Sequence, residues 1–300
     1  MSTVAEAASR TKVRTQVRRR RARRIAKRIP FLLLVAIIIL YIGFPFYWAV
    51  RSAFTPDSEL FKTPVHYWPS NPTWSNFSAV LSSSDFQRAL INSTIVAGSI
   101  TIIALALGSL AGYALGRFRF RGRSTSLYLM LSMTIFPQIA ILGALYTMIN
   151  RFHLYNTLYA LIFSDMVIVL PLTVWILTTF MLALPKDLEE AAYIDGATPF
   201  QVFYKVMLPL VAPGLVTAGL LAFIAAWQEF LYALSFTETP DKHTVTVAIT
   251  TFTGKTGSAF QIPWGEIMAA TVIVTLPLIV LTLALQRRIL AGLTAGAVKG

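Results

Sequence analysis

The apolar positions of this chain fall into six long runs, separated by stretches where Ser, Pro, Gly and charged residues gather. The runs are Pro30–Ser52, Ala89–Gly116, Leu127–Asn150, Thr157–Leu182, Leu210–Phe236 and Ile267–Leu290. About 20 apolar residues, rising 1.5 Å each, cover the roughly 30 Å of a bilayer's hydrocarbon, so the pattern predicts transmembrane helices. The fold class expected is an all-α membrane protein with six spans. It divides into an arm at 1–29, a membrane domain at 30–290 and a tail at 291–300. The longer connections lie at 53–88, 183–209 and 237–266.

The 183–209 connection has its own local chemistry. Asp187, after Pro185-Lys186, is placed to cap a helix, and Glu189 and Glu190 fall in its first turn, where the helix dipole favours negative charge. Ala191 and Ala192 keep one face low, so another surface can approach closely. Gly196 stands where a residue of positive φ would end that helix. Thr198-Pro199-Phe200-Gln201 then reads as a new start, with Thr as N-cap, Pro at the first helical position and Gln three residues after the cap. The second helix carries Phe200, Val202, Phe203, Val206 and Met207, and Pro209 is expected to stop or kink it. The reading is a rigid amphipathic elbow of two short helices.

Composition agrees with the pattern: 56% of the 300 residues are apolar and only 13% charged, which fits a polytopic membrane protein. The net charge of +13 could indicate nucleic acid, but 11 of the 26 Lys and Arg lie between Arg10 and Arg28, directly before the first run. That location marks a positive-inside anchor, with no nucleic-acid partner. Arg18–Arg28 followed by Pro30–Ile42 has the outline of a signal peptide, yet the apolar run continues to Val50 and no small-residue cleavage site follows. An uncleaved first span is expected.

Twenty of the basic residues fall on the side of the N-terminus, including Arg117, Arg119, Arg121, Arg123, Lys186 and Lys205; six fall on the other. This split predicts that both termini and the elbow are cytoplasmic. There is no cysteine, and His66, His153 and His243 stand apart, so no metal site is expected.

Of the two long outside segments, 53–88 is rich in Pro and aromatics. Its aromatics suit the membrane interface or, alternatively, a small external cap. The other, 237–266, alternates Thr and Val at 244–247 and then turns glycine-bearing, the composition of a mobile loop. Its Gly254-Lys255-Thr256 has the tail of a phosphate-binding loop, but the Gly required five positions earlier is Ile249. The chain shows no nucleotide motif.

Polar groups inside apolar runs cost on the order of 2.5–3.5 kcal/mol when charged at mid-bilayer, so they face protein or water. Here they are Asn92, Gln138, Asp165, Gln228 and Glu229, with Tyr146 and Trp227 near them. Two readings stand: hydrogen bonding between helices, or a polar path whose acids, amides and rings suit a sugar. Pro137, Pro171 and Pro277 are expected to break or bend their spans.

Glu190-Ala191-Ala192, three residues, Gly196, nine residues and Val206-Met207-Leu208-Pro209 resemble the EAA loop of binding-protein-dependent ABC importer permeases, E-A-A-x3-G-x9-I-x-L-P, with Val206 for Ile the sole departure. Leu188–Ala197 resembles the loop's carbohydrate branch. Glu59-Leu60-Phe61, Pro72-Thr73 with Asn76-Phe77, Asn92-Ser93 and Trp227-Gln228-Glu229-Phe230-Leu231 are similar to the second permease subunit of maltose-type importers, where relatives often have Asn at the Gln228 position.

The resemblance implies a type I importer permease in a bacterial-type inner membrane, not itself an enzyme. It implies pairing with a second homologous permease, two ATPase subunits that carry ATP and Mg, and an external sugar-binding protein. The cargo implied is a di- or oligosaccharide of the maltose, maltodextrin or trehalose kind. Coupling to the ATPase is expected through Glu189, Glu190, Ala191, Ala192, Asp195, Gly196, Ala197 and Phe200. The candidate translocation path is Asn92, Gln138, Tyr146, Asp165, Trp227, Gln228 and Glu229. A permease for a non-sugar solute is the nearest alternative. A gradient-driven carrier is a more distant one, as no internal duplication is visible.

Overall fold

The computed structural model describes residues 28, 30–251 and 262–297, with side chains as far as 286 in the last segment. The basic arm up to residue 27, Gly254-Lys255-Thr256 and the side chains of the 291–300 tail lie outside the described residues. Among the described residues the chain is helical throughout, without a strand.

The first helix, α1 (Pro30–Ala53), is long and apolar, and its side chains are almost all exposed. The segment after it forms two short helices, α2 (Asp57–Leu60) and α3 (Ser75–Ser82). Then come α4 (Ser84–Arg117), α5 (Arg123–Ile135), α6 (Gln138–Arg151) and α7 (Leu158–Ala183). The elbow follows as α8 (Asp187–Ile194) and α9 (Pro199–Leu210), and leads to α10 (Ala212–Gln228). The chain closes with α11 (Leu231–Phe236), α12 (Val245–Thr250) and α13 (Trp264–Ala297).

Four helices, α1, α4, α7 and α13, are long and apolar enough to cross a membrane unbroken. Two bent pairs bring the number to six if each is one crossing: α5 with α6 at 99°, and α9 with α10 at 76°. The third expected span is therefore broken, at Phe136–Pro137, because the residue before a proline is pushed to extended backbone (Phe136 ψ 131°). The fifth expected span, Leu210–Phe236, crosses two irregular points: the bend at Val211, and Glu229–Phe230, where the helix stops before α11 begins. Pro171 and Pro277, by contrast, sit inside α7 and α13 without ending them.

Helix α4 is the central post. It packs along α7 and against α10, and α10 also meets α13. The close approach to α7 runs along Gly108, Gly112 and Gly116. A Cβ there would lie 2.8 Å from Thr173 Cγ2, 3.1 Å from Leu177 Cβ and 2.7 Å from Met181 Cβ. Small residues at a spacing of four let two membrane helices nest backbone to backbone. The larger apolar core gathers Phe86, Ile100, Leu161, Trp227, Tyr232 and Phe236. A separate small core, around Tyr113, Met181 and Met207, holds the elbow.

The 53–88 segment is a packed cap. Asn76 Nδ2 donates to the carbonyls of Ala53 and Thr55, both at 3.0 Å, and Phe54, Trp74 and Phe77 form an aromatic cluster with centroids 4.8–5.5 Å apart. The described part of 237–266 is pinned rather than loose. Its Thr/Val alternation winds into α12, and Asn156 Oδ1 accepts from the backbone N–H groups of Glu238 (3.0 Å) and Thr239 (3.2 Å).

Candidate functional site

Two places gather the residues singled out above: the elbow, and a cavity between the broken helices.

In the elbow, α8 begins with Asp187, Glu189 and Glu190 in its first turn. Asp187 does not cap it. Lys186 occupies the capping position with helical backbone, so the helix starts one residue early and Asp187 lies inside it, contributing charge to the dipole rather than a hydrogen bond. The other end closes as expected. Gly196 has φ +82°, its N–H donates to Tyr193 O (3.0 Å), and Ala197 N–H donates to Ala192 O (3.0 Å). This pair of bonds is a Schellman motif, which satisfies the last free carbonyls of a helix.

One residue later Thr198 and Gln201 form a reciprocal capping box. Gln201 N–H donates to Thr198 Oγ1 (3.3 Å), and Thr198 N–H donates to Gln201 Oε1 (2.9 Å). From Val202 to Met207 the winding is π, with Leu208 N–H donating to Phe203 O. Pro209, which has no N–H, is accommodated in this way, and the helix runs through it. The expected stop therefore moves to Val211, between Pro209 and Pro213, where the chain bends by 76°.

The elbow has two faces. Val202, Phe203 and Met207 are buried against Tyr113 and Met181, with Ala192 and Ala197 half-buried beside them. Glu189 also turns inward: its Oε1 lies 3.1 Å from Arg117 Nε. Glu190, Ala191, Asp195, Gly196 and Phe200 face outward. Ile194, 86% exposed, and Tyr204 join that face; sequence reasoning missed both, although Ile194 beside Gly196 was a large apolar residue with no helix left to cover it.

The cavity, of about 390 Å³, is lined by Gln138, Asp165, Gln228 and Glu229 among apolar neighbours. Three elements bring these groups together. Gln138 is the first residue of α6 after the Pro137 break, Asp165 comes from within α7, and Gln228 and Glu229 stand at the break between α10 and α11. Irregular backbone at membrane depth is tolerated where it lines a cavity, and both breaks meet here. Glu229 secures its own break. Its Oε1 accepts from Tyr232 N–H (2.7 Å), its Oε2 from Ala233 N–H (3.0 Å), and its backbone carbonyl from Thr246 Oγ1 (2.7 Å). Asp165 is 2% exposed, and its Oδ1 has no hydrogen-bond partner among the described residues. Asp165 thus keeps unused hydrogen-bonding capacity in the wall of the cavity.

The other three path candidates lie elsewhere. Trp227 is in the core, stacked on Phe223, and its Nε1–H donates to Val274 O (3.2 Å) on α13. Asn92 Nδ2 donates to the carbonyls of Asp241 and His243, both at 2.9 Å. Tyr146 packs edge-on against Tyr155. Among the described residues no cluster of His, Asp and Glu could hold a metal.

Residues 104–294 match the family described as "Binding-protein-dependent transport system inner membrane component". The chain belongs to that family. This permease is 42% identical over 270 residues to the trehalose/maltose transport system permease protein MalG of Thermococcus litoralis, covering 89% of this chain and 94% of that one. It is 44% identical over 232 residues to the trehalose transport system permease protein SugB of Mycobacterium tuberculosis, covering 77% and 84%. Its fold is that of a bacterial ABC transporter involved in alginate import, with a TM-score of 0.75 over 86% of this chain and 95% of that one, at 19% identity. The permease is thus a membrane-embedded transport component of the type I importer fold, and the resemblance read from Glu190–Pro209 stands.

Proposed function

We propose that this permease forms half of the translocation path of an importer for a di- or oligosaccharide and is driven by a separate ATPase that docks on its elbow. The observation that carries the reading is the outward face of the elbow. Glu190, Ala191, Ile194, Asp195 and Phe200 are exposed around a turn held rigid by its own hydrogen bonds. In this reading Glu190 and Asp195 make polar contacts with the ATPase, Phe200 and Ile194 fill its cleft, and Gly196 sets the angle. Glu189, Ala192 and Ala197 support the face from behind.

In this reading the chain crosses six times, with both termini and the elbow in the cytoplasm; the bias of 20 among 26 basic residues supports it. Two ATPase subunits, which carry ATP and Mg, and a second homologous permease complete the transporter. An external sugar-binding protein docks on the 53–88 and 237–250 segments. The cargo reading draws on the trehalose and maltose in the names of the relatives and on the cavity, where two acids and two amides offer partners to hydroxyl groups.

The test is uptake of labelled trehalose or maltose by proteoliposomes holding the permease pair and ATPases, with binding protein supplied outside. Uptake is expected to need ATP, the ATPases and the binding protein together. Uptake driven by an ion gradient alone would overturn the reading, and ATP-driven uptake of a non-sugar solute alone would overturn the cargo.

A further inference from the structure

Helix α4 is bonded to segments at both of its ends. Near the first end, Asn92 Nδ2 donates to Asp241 O and His243 O, both at 2.9 Å, and Ser93 Oγ accepts from Val245 N–H at 2.9 Å, so two side chains hold the backbone leading into α12. At the other end Arg117 donates to two carbonyls on the chain that turns α7 into the elbow, and pairs by charge with Glu189 without a hydrogen bond between Nε and Oε1. Its Nη1 donates to Leu184 O (3.1 Å), its Nη2 to Pro185 O (3.2 Å), and its Nε lies 3.1 Å from Glu189 Oε1. The Arg117 side chain is 4% exposed, while Arg119 and Arg121 are exposed. Guanidinium is the group whose planar fork suits several fixed acceptors at once, and lysine cannot reproduce it.

Between these attachments α4 contains no proline and runs unbroken from Ser84 to Arg117. The 24 residue-to-residue steps from Ser93 to Arg117 span about 36 Å at 1.5 Å each, enough to cross the hydrocarbon. Its glycine notches at Gly108, Gly112 and Gly116 lock its second half against α7, so sliding or bending that half alone would drive backbone and side chains together. A displacement at either end is therefore carried to the other.

Resting on the function proposed above, we infer that α4 is a connecting rod between the surface that meets the binding protein and the elbow that meets the ATPase. Arg117, with Glu189, is a positioning residue that makes the elbow move with the rod; Asn92 and Ser93 do the same for the 241–245 segment. Coupling between two sites through one rigid element is reciprocal, so the arrival of loaded binding protein is felt at the ATPase through the same contacts that carry the power stroke outward.

The experiment uses the complete importer in nanodiscs and reads the ratio of ATP hydrolysis with and without sugar-loaded binding protein. Arg117→Met and Asn92→Leu are each expected to lower that ratio about tenfold, with the subunits still co-purifying. The double variant is expected to be no lower than the weaker single one, since it cuts one linkage twice. Full stimulation in both single variants, or effects that multiply in the double, would overturn the rod. Should Arg117→Met fail to assemble, Asn92→Leu decides alone: it cuts the outer attachment of the rod, and normal stimulation in it overturns the inference. Wild type in the same nanodiscs separates the two readings. A wild type without stimulation removes the proposed function itself, whereas a stimulated wild type with equally stimulated variants removes only the rod.

Discussion

The elbow and the cavity are built on opposite plans. In the elbow, helix ends are closed by groups a few residues away: Gly196 and Ala197 tie back to α8, and Thr198 and Gln201 cap each other. Its apolar side is buried and its remaining face is a compact surface. In the cavity, helices stop short. The groups come from α6, α7 and the break at Glu229, and one oxygen of a buried carboxylate has no partner among the described residues. The elbow's turn is held by these local bonds, while behind it Arg117 Nε, Glu189 Oε1 and Tyr113 Oη have no hydrogen-bond partner among the described residues.

That contrast can be broken at several strengths. The largest effect is expected from Gly196→Val, which forces a β-branched side chain into φ +82°. Strain of roughly 1–3 kcal/mol at the turn should lower ATP-driven uptake by tenfold to a hundredfold and leave the binding protein's affinity for sugar unchanged. Normal uptake in that variant would mean the elbow's angle is immaterial. Next is Asp165→Leu, which removes the open acceptor of the cavity. Sugar uptake should fall about tenfold, the loss of one strong hydrogen bond, while the ATPases still co-purify. Unchanged kinetics would return Asp165 to a packing role.

Thr198→Ala deletes one half of the capping box, at a cost of about 1 kcal/mol, so the amides of residues 200–202 should exchange hydrogen about fivefold faster. Trp227→Phe keeps the stacked ring and loses the bond to Val274, about 1 kcal/mol, which should lower the thermal midpoint without altering sugar preference. A changed preference would place Trp227 on the path after all.

The smallest effect is expected at Asp241, whose carboxyl is lowered from 3.8 to about 2, chiefly by its hydrogen bond from Lys242. A lowered value in the folded state stabilises above the ordinary carboxylate range, and the contribution is lost as pH falls through about 2. Asp241→Asn should therefore change the thermal midpoint only slightly at pH 7, because the pair is exposed, and not at all once both forms are uncharged.

What could be read from the sequence follows the same division. The elbow was legible because its determinants are local: Gly196, Thr198, Pro199 and Gln201 act within a turn or two of themselves. It was misread only where neighbours intervene. Lys186 entered the helix ahead of Asp187, and π winding carried the chain through Pro209. For the cavity, polar residues in apolar runs were the right signal for Gln138, Asp165, Gln228 and Glu229. The same signal could not separate them from Asn92 and Trp227, whose donors are spent on carbonyls 149, 151 and 47 residues away in sequence. Arg117 was counted as one more cytoplasmic charge. That its guanidinium reaches Leu184, Pro185 and Glu189 depends on the glycine packing of α4 against α7, which only the assembled fold reveals.

The back-to-back caps at residues 192–201 have a further consequence for association. A recognition segment that must order itself on meeting its partner loses affinity to the entropy of that ordering, about 0.5–1.5 kcal/mol for each side chain immobilised. Here the backbone is ordered in the permease alone, so a partner meets a finished surface. Such preorganisation shows in the lifetime of a complex more than in its rate of formation. Under the proposed docking, such an elbow is expected to stay seated through repeated opening and closing of the ATPase that holds it.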